Sequence, residues 1–210
     1  MTTRAVFLDA LGTIVELDPP WRHLATELGV DADERLVGAV RKEMDYYAAH
    51  AHEGTDPTAL ADLRARCAAL LSRELDREVG VEQMMASIRF RAYPDAAPAL
   101  AALRRRGLAL VCVSNWDFSL PQVLERCGLA GALDGVVTSA GSGVRKPDPA
   151  IFAPALALAD CGPAEALHVG DSPDEDLAGA EAAGIRGLLI DRDGTGEIAS
   201  LTEIEDHLAP

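Results

Sequence analysis

The chain has 210 residues, 49% of them hydrophobic, enough to bury a full core and to exclude wholesale disorder. A formal net charge of −15 sets 34 acidic residues against 19 basic ones, and a surface that acidic repels nucleic acid and anionic lipid. A small anionic substrate is still allowed, because a local basic pocket or a metal ion can reverse the field.

The first predicted element is a strand, Ala5-Val6-Phe7-Leu8, an apolar run of the kind that is buried on both faces of a parallel sheet. It stops at Asp9, and Gly12 and Thr13 then break the pattern. Residues 14–20 read as a short extended piece ending in Pro19-Pro20, and a helical region then runs to about Arg91. Within it Trp21, Leu24, Ala25 and Leu28 recur at helical spacing, as do Leu36, Val40, Met44 and Tyr47, and then Leu60, Leu63, Cys67 and Leu71. Gly29 with Asp31–Asp33, and Gly54-Thr55-Asp56-Pro57, separate these helices. A shorter helix carries Val81, Met84, Met85 and Ile88.

Beyond Tyr93 the pattern changes to strands alternating with helices. A helix to Arg106 is stopped by Gly107, and strands are expected at Leu108–Val113, Gly135–Thr138, Leu167–Val169 and Gly187–Ile190. The intervening helices are expected at Phe118–Cys127, Asp148–Leu158 and Asp174–Ala183. Gly141-Ser142-Gly143 lacks the setting of a nucleotide loop and reads as a flexible connection. This alternation predicts an α/β fold with a parallel sheet and helices on both faces. Because only the first strand precedes the helical block, a core of residues 1–15 and 92–210 is expected, with an all-helical insert at 16–91. The insert would emerge directly above Asp9, where it can act as a lid.

The strand ends carry polar groups: Asp9, then Ser114-Asn115, then the loop Arg145-Lys146-Pro147-Asp148, then Gly170-Asp171-Ser172 with Asp174, Glu175 and Asp176 beyond. In a parallel sheet these ends share one edge, where open α/β sheets bind their ligands. Lys146 is one of only two lysines; the other, Lys42, lies in the insert in a charged run, Arg41-Lys42-Glu43, that reads as a helix surface. Asp174 and Glu175 read as charges favouring a helix N-terminus. His168 lies within a strand and reads as a packed core residue, while Tyr46, Tyr47, Met84 and Met85 are candidates for the underside of the insert. The cysteines Cys67, Cys112, Cys127 and Cys161 form no CxxC pair and read as reduced thiols. No 18-residue apolar stretch occurs, and the chain starts without a charged-then-apolar leader, so a cytoplasmic protein with no membrane span is expected.

Four pieces in order, D-x-x-G-T at Asp9–Thr13, Ser114-Asn115, Lys146-Pro147-Asp148-Pro149 and G-D-S-x-x-x-D at Gly170–Asp176, resemble the motifs of the haloacid dehalogenase superfamily, and the resemblance covers essentially the whole chain. It implies a Rossmann-like core with a helical cap and an Asp9 nucleophile. It further implies Mg²⁺ held by Asp9, the Leu11 carbonyl and Asp171, with Asp176 either reaching the metal through water or orienting Lys146. Ser114 and Lys146 take catalytic roles, and Gly12, Thr13 and Asn115 face the substrate. The substrate is a small anionic molecule, most simply a phosphorylated, phosphonate or acyl phosphate metabolite, acted on by a monomer or homodimer. One position departs from the family pattern: Leu11 stands where the family's phosphatases carry a second aspartate as general acid and base. Ordinary phosphomonoesterase activity is therefore in doubt. Two alternatives follow from the resemblance. One is a 2-haloacid dehalogenase, with Arg41 as the cap arginine; the other is a weakened Mg²⁺/phosphate-binding regulatory protein. A phosphonatase-like use of Lys42 as a Schiff-base lysine is a further variant of the hydrolase.

Overall fold

In the computed structural model, which describes residues 2–209, the chain alternates between extended and helical segments in this order. First come β1 (Ala5–Leu8), β2 (Val15–Leu17), α1 (Pro20–Leu28), α2 (Glu34–His50), α3 (Pro57–Leu75), α4 (Val81–Ser87) and β3 (Phe90–Ala92). Then follow α5 (Ala96–Arg105), β4 (Ala109–Ser114), α6 (Leu120–Arg126), β5 (Gly135–Thr138), α7 (Ser139–Ser142), α8 (Ala153–Leu158), β6 (Ala166–Gly170), α9 (Ala178–Ala182) and β7 (Arg186–Leu189). No helix among the described residues is long and apolar enough to cross a membrane.

The main sheet has the order β5-β4-β1-β6-β7, and every pair is parallel. In register, Phe7 lies between Val111 of β4 and His168 of β6. Side chains alternate across the pleat. Val6, Leu8, Leu110, Cys112, Leu167 and Val169 pack one face against α5 and α6. Phe7, Val111 and Val113 pack the other against Ile151, Phe152 and Ala155. Helices on both faces of a parallel sheet are the expected Rossmann-like arrangement. β1 sits where the chain turns from one half of the sheet to the other, so its carboxyl end opens at the topological switch point.

Helices α1 to α4 close a separate apolar cluster around Leu24, Leu36, Val40, Leu63, Leu71 and Met84. Their boundaries follow the punctuation in the sequence. Gly29 ends α1 at φ +65°, Asp33 caps α2 by accepting from the Leu36 N–H at 2.8 Å, and Asp56 caps α3 ahead of Pro57.

Two local expectations are corrected, and one element is added that the sequence did not signal. Residues Phe90–Ala92 do not continue the helical insert; they form β3, antiparallel to β2, with Leu17 opposite Phe90 and Arg91 Nε donating to Glu16 Oε1 at 2.8 Å. This pair joins the two stretches of chain that flank α1 to α4. Residues 141–143 are not a loose connection: Gly141 and Ser142 complete α7, which Thr138 caps, and Gly143 ends it. The C-terminal segment, which carries no periodic signal, forms a 3₁₀ turn at Leu201–His207 that adds Leu201 and Ile204 to the core. The four cysteines are unpaired, as expected, with Cys67 and Cys112 buried.

Candidate active site

The buried run of β1 ends in Asp9, whose N–H donates to the Val169 carbonyl at 2.9 Å, so the residue is fixed by the sheet ladder itself. Asp9 Oδ1 accepts from Ser114 Oγ at 2.9 Å and from Lys146 Nζ at 2.5 Å. Lys146 is fully enclosed, and its other two N–H groups donate to the Val113 carbonyl at 3.0 Å and to Asp176 Oδ1 at 2.5 Å. Oδ1 of Asp9 is thus occupied, while no hydrogen bond reaches its Oδ2 among the described residues. Asp176 is held in turn by His168 Nε2 at 2.9 Å and by the Ser172 N–H at 3.1 Å.

Two glycines make this convergence possible. A Cβ at Gly170 would collide with the Asp176 carboxyl, and one at Gly12 with that of Asp171. Gly12 also has φ +82°, which a side chain would strain.

One carboxylate oxygen from each of Asp9, Asp171 and Asp176 lies within 4.8 Å of the others. Three acids against one ammonium leave excess negative charge, and the titration of the groups reflects it. Asp171 is exposed as a residue, but local desolvation of its carboxyl at the cavity floor, with Asp9 and Asp176 adding to the effect, raises it to about 7. Burial also raises Asp9, against the pull of Lys146. Burial works the same way on Asp176, but His168 and Lys146 outweigh it and hold that carboxyl well below the usual range. The two carboxylates likewise outweigh the desolvation of Lys146 and keep its ammonium charged. An all-oxygen, carboxylate-rich set with uncompensated charge fits a hard divalent cation such as Mg²⁺.

Asp9, Ser114, Lys146 and Asp171 form the floor of a cavity of about 450 Å³ that extends up into the helical insert. Leu11, Tyr47, Met84 and Met85 line it; Tyr46 instead stacks on His50 outside it. Asn115 reaches the cavity but is engaged in holding the Lys146 loop. Its Oδ1 accepts from the Lys146 N–H at 2.8 Å, and its Nδ2 donates to the Lys146 carbonyl at 3.1 Å and to Glu175 Oε2 at 2.8 Å. Gly12 and Thr13 do not line the cavity. Among the described residues the Thr13 hydroxyl is buried without a partner, and its carbonyl accepts from Arg192 Nη2.

Arg41 also lies away from the cavity, exposed, with its guanidinium 5.8 Å from the centre of the Trp21 ring. Lys42 pairs with Glu74 Oε2 at 2.6 Å on the surface. Both face outward because α2 buries Leu36, Ala39, Val40 and Glu43, and residues 41 and 42 project from other sides of the helix.

Four further side chains belong to the site. His168, expected only to pack, also bonds Asp176. Glu175, expected as a helix-end charge, accepts from both Asn115 and Arg145 Nη2, the latter at 2.8 Å. The Tyr47 hydroxyl donates to Asp117 Oδ2 at 2.7 Å, with the phenol pushed well above its ordinary value by burial and then by Asp117. Glu43 is a buried acid inside the insert.

A family model described as haloacid dehalogenase-like hydrolase matches residues 3–184. Among curated proteins the chain is similar to haloacid dehalogenase-like hydrolase domain-containing protein 3 of Bos taurus. The two are 45% identical over 95 residues, which is 45% of this chain and 38% of the relative. It is also similar to phosphoserine phosphatase of Thermus thermophilus, 42% identical over 105 residues, 50% of this chain and 42% of the relative. The match thus spans about two fifths of the length of these relatives. Among solved structures, L-2-haloacid dehalogenase from Xanthobacter autotrophicus superimposes with a TM-score of 0.72 at 22% identity, covering 97% of each chain. At that identity the likeness shows the fold alone.

Proposed function

Because the chain belongs to the haloacid dehalogenase-like hydrolase family, we propose that it is a Mg²⁺-dependent hydrolase of small phosphorylated molecules that works through Asp9. In this reading residues 1–15 and 92–210 carry the chemistry and residues 16–91 form a cap over it. The observation that carries the proposal is the meeting of Asp9, Asp171 and Asp176 around Lys146 at the floor of one cavity.

Asp9, the Leu11 carbonyl and Asp171 would hold Mg²⁺, which when bound offsets the charge that a phosphate dianion meets at a carboxylate nucleophile. Asp176 has its Oδ1 engaged by Lys146 and His168, so its part is to orient Lys146. Ser114 and Lys146 fix Asp9 through Oδ1, leaving Oδ2 to attack phosphorus. A phosphorus–oxygen bond forms to Asp9 as the bond to the leaving group breaks and its electron pair departs with that group. Water then attacks the same phosphorus, releasing inorganic phosphate and regenerating the carboxylate. Leu11 has no proton to give, so the reading favours leaving groups that depart as stable anions, as in acyl or aryl phosphates.

The dehalogenase alternative has less support, since Arg41 is outside the cavity and a carboxylate cluster faces the nucleophile. The Schiff-base variant needs a cap lysine in the cavity, and Lys42 is paired on the surface instead.

The test is a panel of acetyl phosphate, p-nitrophenyl phosphate, phosphonoacetaldehyde and 2-chloropropionate. Mg²⁺-dependent release of phosphate from the first two, lost at least about 10³-fold in Asp9→Asn, is expected. Chloride release from 2-chloropropionate in the presence of a chelator would favour the dehalogenase. Saturable phosphate binding without any turnover would favour the binding protein.

A further inference from the structure

The roof of the cavity differs from its floor in one informative way. Leu24, Val40, Leu71 and Met84 give it a buried apolar surface; Asp45, Tyr47 and Arg64 also line the cavity but are less buried, and Ser87 is a buried neutral hydroxyl. Against that background stands Glu43, 6% exposed and facing the same cavity. Among the described residues its carboxyl has one side-chain partner, the Cys67 thiol, which is a weak donor. Burial raises this carboxyl above its usual range, so it stands ready to share a proton with a neutral group. An acid buried in an apolar cluster lowers stability unless something meets it, and here the carboxyl has only the weak Cys67 donor and borders the open space of the cavity. A volume of about 450 Å³ accommodates a ring-sized organic body.

We propose that the cavity selects phosphorylated molecules with an apolar, ring-sized body, and that Glu43 is the specificity-determining residue that meets a hydrogen-bonding group at the far end of that body. The proposal deepens the hydrolase reading and rests on it for the phosphate end. It fits Leu11 independently: an aryl phosphate combines an apolar body with a leaving group that needs no protonation. Sugar phosphates, which would leave many hydroxyls facing leucine and methionine, are poor fits.

Binding of non-hydrolysable phosphonates tests this apart from turnover. With Mg²⁺ present, calorimetry on the parent chain compares methylphosphonate, benzylphosphonate, phenethylphosphonate and the 4-hydroxy forms of the last two. The better aryl compound is expected to bind at least about tenfold more tightly than methylphosphonate. The better-fitting 4-hydroxy form should gain about fivefold over its unsubstituted parent. Glu43→Leu should remove the hydroxyl gain and keep the aryl gain. Met85→Trp, which fills the roof, should remove the aryl gain, read as the ratio of aryl to methyl affinity; it also serves if the Leu variant does not fold. Equal binding of methyl and aryl phosphonates, or a hydroxyl gain that survives Glu43→Leu, would overturn the proposal. Turnover of p-nitrophenyl phosphate by the same preparation reads the hydrolase separately. The expected ranking without turnover sinks the hydrolase alone, and turnover without the ranking sinks the selectivity alone.

Discussion

The two ends of the cavity are built on opposite terms. At the floor the sheet edge brings charged groups together and ties most of their polar atoms: Lys146 spends all three N–H groups, and Asp176 accepts at both oxygens. At the roof the helical insert supplies a buried surface that is mostly apolar, with Glu43 its buried acid and Asp45, Tyr47 and Arg64 less buried. Ion pairs at the floor gain strength from the enclosed, low-dielectric setting and fix geometry. The roof supplies contact area and shape. The proposed function puts reaction and selection on different stretches of chain, and substitutions at one end should then leave the other nearly untouched.

Breaking the floor should have the largest effect. Lys146→Met leaves Asp9 and Asp176 buried without their shared cation. Removing one partner of a buried ion pair costs about 3–5 kcal/mol, so urea unfolding should show a loss of that size. An equivalent truncation at the roof, Met85→Ala, removes only a partly buried side chain and should cost less than half as much. Equal losses would erase the contrast between the two ends.

Leu11 stands at the join between floor and roof, so changing it sharpens the comparison. Leu11→Asp supplies the missing acid and should raise kcat/KM for an alkyl phosphate by about 10²-fold. With p-nitrophenyl phosphate, whose leaving group needs little help, the change should be small. If the parent already hydrolyses the alkyl ester as fast as the variant, the account of Leu11 is wrong.

The smallest effect is on pH dependence. Asp171 titrates at about 7 without metal, so Mg²⁺ and a proton compete for it. Affinity for Mg²⁺ should fall about fivefold from pH 7 to pH 6. The sign for stability is opposite in the metal-free chain. Since this folded value lies above the ordinary 3.8, the group's contribution is complete below pH 3.8 and is lost as pH rises through about 7. Thermal melts with chelator, compared between parent and Asp171→Asn, read that difference.

The floor was largely legible in the sequence because each of its groups ends an apolar run or sits in a short motif. A parallel sheet then brings those ends together whatever lies between them. Of the antiparallel β2–β3 pair, the extended piece at residues 14–20 was legible, but Phe90–Ala92 gave no local sign, being three residues whose partner lies far away in the chain. The 3₁₀ turn at Leu201–His207 likewise owes its place to packing more than to periodicity. Arg41 was misleading as a candidate because charge alone does not say which side of a helix a residue occupies, whereas Lys42, read as a helix-surface charge, pairs with Glu74 there. Glu43 was hidden in the same charged run. Its spacing could have disclosed it: it lies three residues after Val40 and four before Tyr47, on the stripe that α2 buries. His168 and Glu175 were read for their local setting, strand interior and helix start, whereas their partners Asp176 and Asn115 come from the three-dimensional arrangement.

The central claim is that Asp9 and Asp171 grip one divalent cation beside the attacking oxygen. Calorimetric titration of Mg²⁺ into the parent chain and into Asp171→Asn at pH 8 tests it most directly. Saturable binding at one site in the parent, weakened at least about tenfold in the variant, is the predicted result. Equal affinities in the two proteins, or no binding to the parent, would contradict it.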